Sequence, residues 1–204
     1  MSDLNILAST LIVGQEIKKS DRSYFSLRKR NQRIELRTYN NICFLEKGTV
    51  SVYRLENNIL TITLTAPAIL GLAQMRQDVK SHYLRCDNDC EMTVISTSDA
   101  IELFNEKLLW KHAFDLLTYH LHKYFQRESL ISHKTSRDIV VEHLKHIWKL
   151  PHEIREKTSV FSFILNRNHI SRSMVSKILK ELENEGVLTM SRGKLLSIKD
   201  GDDM

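Results

Sequence analysis

Apolar and polar positions divide the chain into stretches of different period. Leu4, Leu7, Ala8 and Leu11 recur at helical spacing, which predicts a short helix over residues 3–20. From about Arg33 to Ser98 the period falls to two. It is clearest at Leu60-Thr-Ile-Thr-Leu-Thr, where Leu60, Ile62 and Leu64 alternate with threonines. Thr49-Val-Ser-Val-Tyr-Arg-Leu precedes it across the turn cluster Glu56-Asn57-Asn58, so the two runs predict a hairpin. Tyr83-Leu-Arg-Cys, Asp87-Asn88-Asp89 and Cys90-Glu-Met-Thr-Val-Ile-Ser repeat the strand–turn–strand pattern. With Gly48 and Gly71 as punctuation, the stretch predicts a β-sandwich or roll.

Helical spacing returns after Ser98-Asp99, a predicted N-cap with Glu102 three residues on. From Ala100 to about Ser132 there is neither Gly nor Pro, and Leu103, Leu109, Trp110, Ala113, Phe114, Leu117 and Leu121 spread over a wide face. Such width suits a helix that covers its own sheet on one side and a second copy on the other; a helix buried within one chain is the open alternative. Ser136 to Lys149 predicts another amphipathic helix, stopped by Pro151, and Ser159 to Arg167 a short one. Ser171 then caps a helix that ends at Gly186, with Val175, Ile178, Leu179 and Leu182 on its buried face. Val187-Leu-Thr-Met and Leu195-Leu-Ser-Ile close a hairpin over Ser191-Arg192-Gly193-Lys194. Helix, helix, turn, helix, hairpin is a winged helix-turn-helix.

Composition narrows the class. With 204 residues, 42% hydrophobic and 27% charged, the chain can bury one large core or two small ones. Gly 6 and Pro 2 exclude a low-complexity chain. No apolar run approaches the roughly 20 residues of a membrane span, and the start lacks a secretory pattern, so a cytoplasmic protein is expected. Three cysteines argue against a disulfide framework. No Gly-rich phosphate loop, nucleophile elbow or paired-carboxylate site is present, and only His82 falls in the strand region, far short of a cupin-type metal set. No enzyme, no catalytic residue, no metal and no cofactor are expected.

Charge is uneven along the chain. Residues 1–132 hold 17 basic and 15 acidic side chains, whereas residues 133–199 hold 13 and 7. That excess coincides with the helix-turn-helix. A major groove admits one helix, whose N-terminal side chains reach base edges. With the apolar face assigned, Arg172, Ser173, Ser176, Lys177 and Lys180 face outward from the helix capped by Ser171. Arg172 is suited to a bidentate guanine contact, Ser173 and Ser176 to base or phosphate, and Lys177 and Lys180 to phosphate. Arg192 and Lys194 in the wing flank Gly193 and are placed to hold the backbone. A solvated basic face on an ordinary helical domain is the plainer alternative, and coincidence of charge with motif favours the groove.

Ile170-Ser-Arg-Ser-Met-Val-Ser-Lys-Ile-Leu-Lys-Glu-Leu-Glu-Asn-Glu-Gly-Val-Leu resembles the recognition helix of the cAMP receptor/FNR (CRP/FNR) superfamily of bacterial regulators. Phe44-Leu-Glu-Lys-Gly-Thr-Val-Ser-Val-Tyr resembles a strand of that family's sensor, and Ile69-Leu-Gly-Leu-Ala, Lys80-Ser81 and Cys90–Ser96 fall on its ligand cassette and closing strands. The resemblance covers roughly residues 33–198. It implies an α+β chain: an N-terminal helix and cyclic-nucleotide-binding-like β-roll (double-stranded β-helix) over 1–99, a long dimerisation helix over 100–134, and a winged helix-turn-helix over 135–204. It further implies double-stranded DNA as partner, a homodimer through the 100–132 helix, and RNA polymerase as a further candidate partner.

The departures from that family bear on ligand and target. Gly71, Leu72, Lys80 and Ser81 fall where the family binds its nucleotide. Leu72 replaces a glutamate and cannot accept a ribose hydrogen bond, and Lys80 replaces an arginine fork by a point charge. Binding of cyclic AMP is therefore not expected. His169 stands in place of a turn glycine, so strain or an altered turn is expected there. Ser173 replaces the usual glutamate, so the operator cannot be borrowed. Cys90 is expected to be a buried small hydrophobe and Cys86, beside a turn, a candidate exposed thiol. A β-roll small-molecule or redox sensor acting mainly through protein partners is the alternative function.

Overall fold

The computed structural model describes residues 3–35, 40–75, 81–131 and 135–199, with the side chains of Asp3, Leu4, Gln74 and residues 127–131 outside that description. The chain divides into two compact units, residues 1–125 and 126–204. The first opens with α1 (Asp3–Lys19), followed by strands β1 (Ser23–Arg28), β2 (Arg33–Ile34), β3 (Asn41–Lys47), β4 (Thr49–Arg54), β5 (Leu60–Thr65) and β6 (Ala68–Leu70). A 3-10 turn (Leu72–Gln74) precedes β7 (His82–Cys86) and β8 (Cys90–Ser96). The strands form two four-stranded sheets, β1-β8-β3-β6 and β2-β7-β4-β5, antiparallel throughout.

Alternation along β3 explains how the sheets stack. Cys43 and Leu45 point inward with Val50, Leu84, Cys86, Cys90 and Met92, forming a core between the sheets. Ile42 and Phe44 point the other way, where Ile69 and Ile95 join them against Ile6, Val13 and Ile17 of α1. A strand buried on both faces reads as a continuous apolar run, as Ile42-Cys-Phe-Leu does. Gly14 makes the helix contact possible, since a Cβ there would lie 2.4 Å from the Phe44 ring.

Several expectations are corrected here. On α1, Leu7, Ala8 and Leu11 are exposed, and the buried stripe is Ile6, Thr10, Val13 and Ile17. Both stripes have helical spacing, and only the sheet selects between them. β1 was not anticipated by the strand pattern; it is an edge strand whose Tyr24, Phe25 and Leu27 are all exposed. β7 and β8 do not pair with each other across Asp87-Asn88-Asp89; the chain crosses there from one sheet to the other.

The predicted long helix is two helices. Ser96, not Ser98, caps α2 (Thr97–Glu106) by accepting from the Asp99 N–H. The chain then breaks at Leu108, with φ 54°, before α3 (Trp110–Ile131). No Gly or Pro marks the break. It lets Trp110 turn back so that its ring meets Phe104 edge-on at 5.5 Å and its Nε1–H donates to Asn105 Oδ1 at 2.7 Å.

The second unit contains α4 (Ser136–Trp148), α5 (His152–Lys157), α6 (Val160–Leu165), α7 (Arg172–Asn184) and the hairpin β9 (Leu188–Ser191) and β10 (Lys194–Ile198). Thr135 and Asp138 form a capping box on α4. Pro151 does more than stop α4, because it also caps the unpredicted α5, where a missing N–H costs nothing. Val140, Leu144 and Ile147 of α4 meet Val160 and Ile164 of α6, Val175, Ile178, Leu179 and Leu182 of α7, and Leu195 of the wing in one core. Among the described residues no helix is long and apolar enough to cross a membrane.

Candidate nucleic-acid interface

The helix expected to enter the groove begins where its cap requires. Ser171 Oγ accepts from the Met174 N–H at 3.2 Å, and α7 runs to Asn184 before Gly186 reverses the chain at φ 67°. Its four core residues are buried, so the opposite face is open. Ser171, Arg172, Ser173, Lys177 and Lys180 are exposed, and Ser176 is half-buried. Arg172 lies on the flank, its guanidinium 5.2 Å from the centre of the Phe161 ring on α6. That contact orients the side chain while its donors stay accessible.

Acidic residues of α7 and its C-cap Glu185 lie at its C-terminal end, and two of them are paired with a cation. Arg137 of α4 holds Glu185 by a short ion pair and reaches Glu181 at 3.8 Å. Glu183 accepts from the Met190 N–H of the wing at 3.2 Å. The first turn of α7 carries no acidic residue. Its free N–H groups and positive helix end therefore add to Arg172, Lys177 and Lys180, which suits a polyanion.

The turn between α6 and α7 is built on Asn168, whose amide donates to Ile164 O at 3.0 Å and to His143 Nε2 at 2.5 Å. His169 takes no positive φ, so the strain expected from its replacement of a glycine is absent. In the wing, positive φ falls instead on Arg192 (48°) and Gly193 (75°), the pair of a tight two-residue turn. Arg192 is exposed at its tip. Lys194 is half-buried and donates to Lys157 O at 2.6 Å, so that ammonium is engaged within the protein. Met174, 43% exposed in the first turn of α7, is an outward residue that charge-based reasoning passed over; a thymine methyl is the base feature it suits.

Of the expected ligand-pocket residues, Gly71, Leu72 and Ser81 are described. Gly71 has φ 96°, and a Cβ there would lie 2.6 Å from Asn41 O, which explains the glycine structurally. Leu72 is buried with α1, α2 and α3, outside the space between the sheets. Lys80 lies outside the described residues. Ser81 Oγ meets His82 Nδ1 at 2.8 Å, and in the adjacent strand Arg54 forms a short hydrogen bond to the Tyr124 hydroxyl of α3. Burial, reinforced by Arg54, lowers the His82 pKa. Arg54, His82 and Tyr124 are thus polar groups near this end of the β-roll that no motif announced.

The thiols are closed off. Cys86 is fully buried, not exposed beside its turn, because its strand faces the core between the sheets. Burial first, then the neighbouring Cys90, pushes its thiol up to about 12, and burial pushes Cys43 to about 12 as well. Cys90 is buried as expected. Thiolates of this kind are scarce at neutral pH.

Comparison with known proteins agrees with this geometry. Residues 136–200 match a family model described as winged helix-turn-helix DNA binding. The "inhibitor of hydrogen peroxide resistance" of Escherichia coli (strain K12) is 32% identical over 156 residues, covering 74% of this chain and 73% of that protein. Its Salmonella typhimurium counterpart is 27% identical over 153 residues. Among solved structures, the c-di-GMP-responsive global regulator CLP of Xanthomonas campestris superposes with a TM-score of 0.72 at 16% identity, over 97% of this chain and 100% of that one. A transcriptional regulator of the crp/fnr family from Eubacterium rectale gives 0.67 at 16% identity, over 94% and 91%. CooA from Carboxydothermus hydrogenoformans gives 0.63 at 14%, over 98% and 94%. The fold is that of the CRP/FNR regulators.

Proposed function

From a chain that belongs to the family of the inhibitor of hydrogen peroxide resistance and has the CRP/FNR fold, we infer a dimeric, sequence-specific transcription regulator that works without cyclic AMP. The observation that carries the reading is the open, basic N-terminal half of α7 in a winged helix-turn-helix. Arg172, Ser173, Ser176 and Met174 read base edges, while Ser171, Lys177, Lys180 and Arg192 hold phosphates. Lys194 supports the wing. Duplex DNA is the partner, in the cytoplasm, and RNA polymerase is a further one at the promoters it controls.

The dimer reading rests on α3. Trp110, Phe114, Leu117, Leu121 and Phe125 form an exposed apolar stripe at intervals of four and three. A second copy related by a two-fold axis covers that stripe and supplies two α7 helices, one for each half-site of a palindrome. Independence from cyclic AMP is supported by Leu72, which turns into the helical core and offers the ribose no acceptor. By analogy with the relative's name, its regulation lowers resistance to hydrogen peroxide. Buried cysteines with raised pKa values argue against a thiol as the direct peroxide sensor.

Immunoprecipitation of the tagged protein across its genome, followed by mobility shift on the recovered sites, tests the reading. Recovered palindromes that wild type binds and Arg172→Ala binds at least about tenfold more weakly are expected. Equal binding by both proteins overturns the assignment of the reading helix.

A further inference from the structure

We propose that the first unit binds a small, uncharged, apolar molecule in a cavity between the 3-10 turn at Leu72–Gln74 and the first turns of α3. The cavity measures about 420 Å³, within the range of small-molecule sites. Leu72, Ala73 and Met75 form one wall, and Trp110, Ala113, Phe114 and Leu117 the other. Two of these wall residues are alanines, which is why the space is not filled from within. It lies on the helical side of the β1-β8-β3-β6 sheet, where Leu72, Met75 and Ala113 join the core formed with α1 and α2. It is therefore separate from the space between the sheets.

The chemistry of the walls selects the ligand. Among the described residues no charged or hydroxyl side chain lines the cavity. The one polar side-chain atom, the Trp110 indole N–H, already donates to Asn105 Oδ1. A phosphate, carboxylate or ribose entering here loses its water without gaining a partner, and an apolar molecule loses nothing. Aromatic rings of Trp110 and Phe114 and the Met75 thioether favour a flat or aromatic occupant.

The position of the cavity links occupancy to assembly, a consequence that rests on the dimer reading above. Trp110 lies two residues after the break at Leu108, and Trp110, Phe114 and Leu117 belong to both the cavity wall and the exposed stripe of α3. A molecule seated between Leu72 and Phe114 fixes the start of α3 and the rotamers that face the second copy. The competing occupant is an apolar side chain of that second copy.

Titration of the full-length protein with N-phenyl-1-naphthylamine, a neutral probe that brightens on leaving water, decides between them. Saturable binding of one probe per chain is expected, with energy transfer from tryptophan that falls in Trp110→Phe. Ala73→Phe, at the exposed rim, and Ala113→Leu, on the inner wall, each weaken it roughly tenfold or more by occupying the space. Either variant that keeps its near-ultraviolet circular dichroism suffices. No saturable binding, or unchanged binding in Ala73→Phe, overturns the proposal. Binding that occurs only in a monomeric Leu121→Glu variant also overturns it, since the cavity is then filled by the second copy. Duplex binding measured on the same samples separates failure of this site from failure of the DNA-binding reading.

Discussion

The salt dependence of DNA binding gives the sharpest test of how α7 and the wing meet the duplex. Lys177, Lys180 and Arg192 are exposed, and none has an ion pair among the described residues. Lys194 is tied to a carbonyl, Arg172 is assigned to a base and Ser171 is uncharged, so three phosphates are neutralised per chain and twice that number in a dimer. Each neutralised phosphate contributes about −0.9 to the slope of log K against log salt, so a slope of about −5.4 is expected. Between roughly 50 and 200 mM salt the affinity should then fall about 2,000-fold. Lys177→Ala removes two of the contacts in a dimer, lowering the slope to about −3.6 and the fall to about 150-fold. Fluorescence anisotropy with a labelled duplex measures both, even on nonspecific sequence, because counterion release does not depend on base identity. A Lys177→Ala slope equal to that of wild type would refute the placement of this face against the backbone.

Three further outcomes follow from packing and charge. Leu182→Ala removes a fully buried side chain of α7 and should cost about 2–5 kcal/mol, read from denaturant unfolding of the second unit by Trp148 fluorescence. Leu121→Glu places a charge on the exposed α3 stripe; light scattering should show dimer giving way to monomer with little change in circular dichroism. Burial lowers the His120 pKa from 6.5 to about 4, so the native state binds fewer protons than the unfolded chain in that interval. Its stabilising contribution is whole above pH 6.5 and is lost as pH falls toward 4, and His120→Gln should flatten denaturant midpoints measured across that range.

The DNA-binding unit was readable because its signals are local. Ser171, Gly186 and Gly193 mark its boundaries by cap and turn chemistry, and the stripe Val175, Ile178, Leu179, Leu182 leaves one outward face for Arg172 and Lys177. Elsewhere the same signals were ambiguous. Two apolar stripes on α1 satisfy the helical period equally, and the sheet took Ile6, Val13 and Ile17. The fit of Trp110 against Phe104 accompanies a break at Leu108 that no residue type marks.

Periodicity reports what a residue's immediate neighbours allow, and for this chain that was enough to specify most strands and helices, a wing and a basic outward face. Partnership is another matter, since it is settled by contacts between residues far apart in the chain. Which sheet received Cys86, whether Lys194 was spent on Lys157, and that Ala73 and Ala113 border an open space all emerged from such contacts. Close packing ties each of these outcomes to distant side chains at once, so no window of sequence contains them.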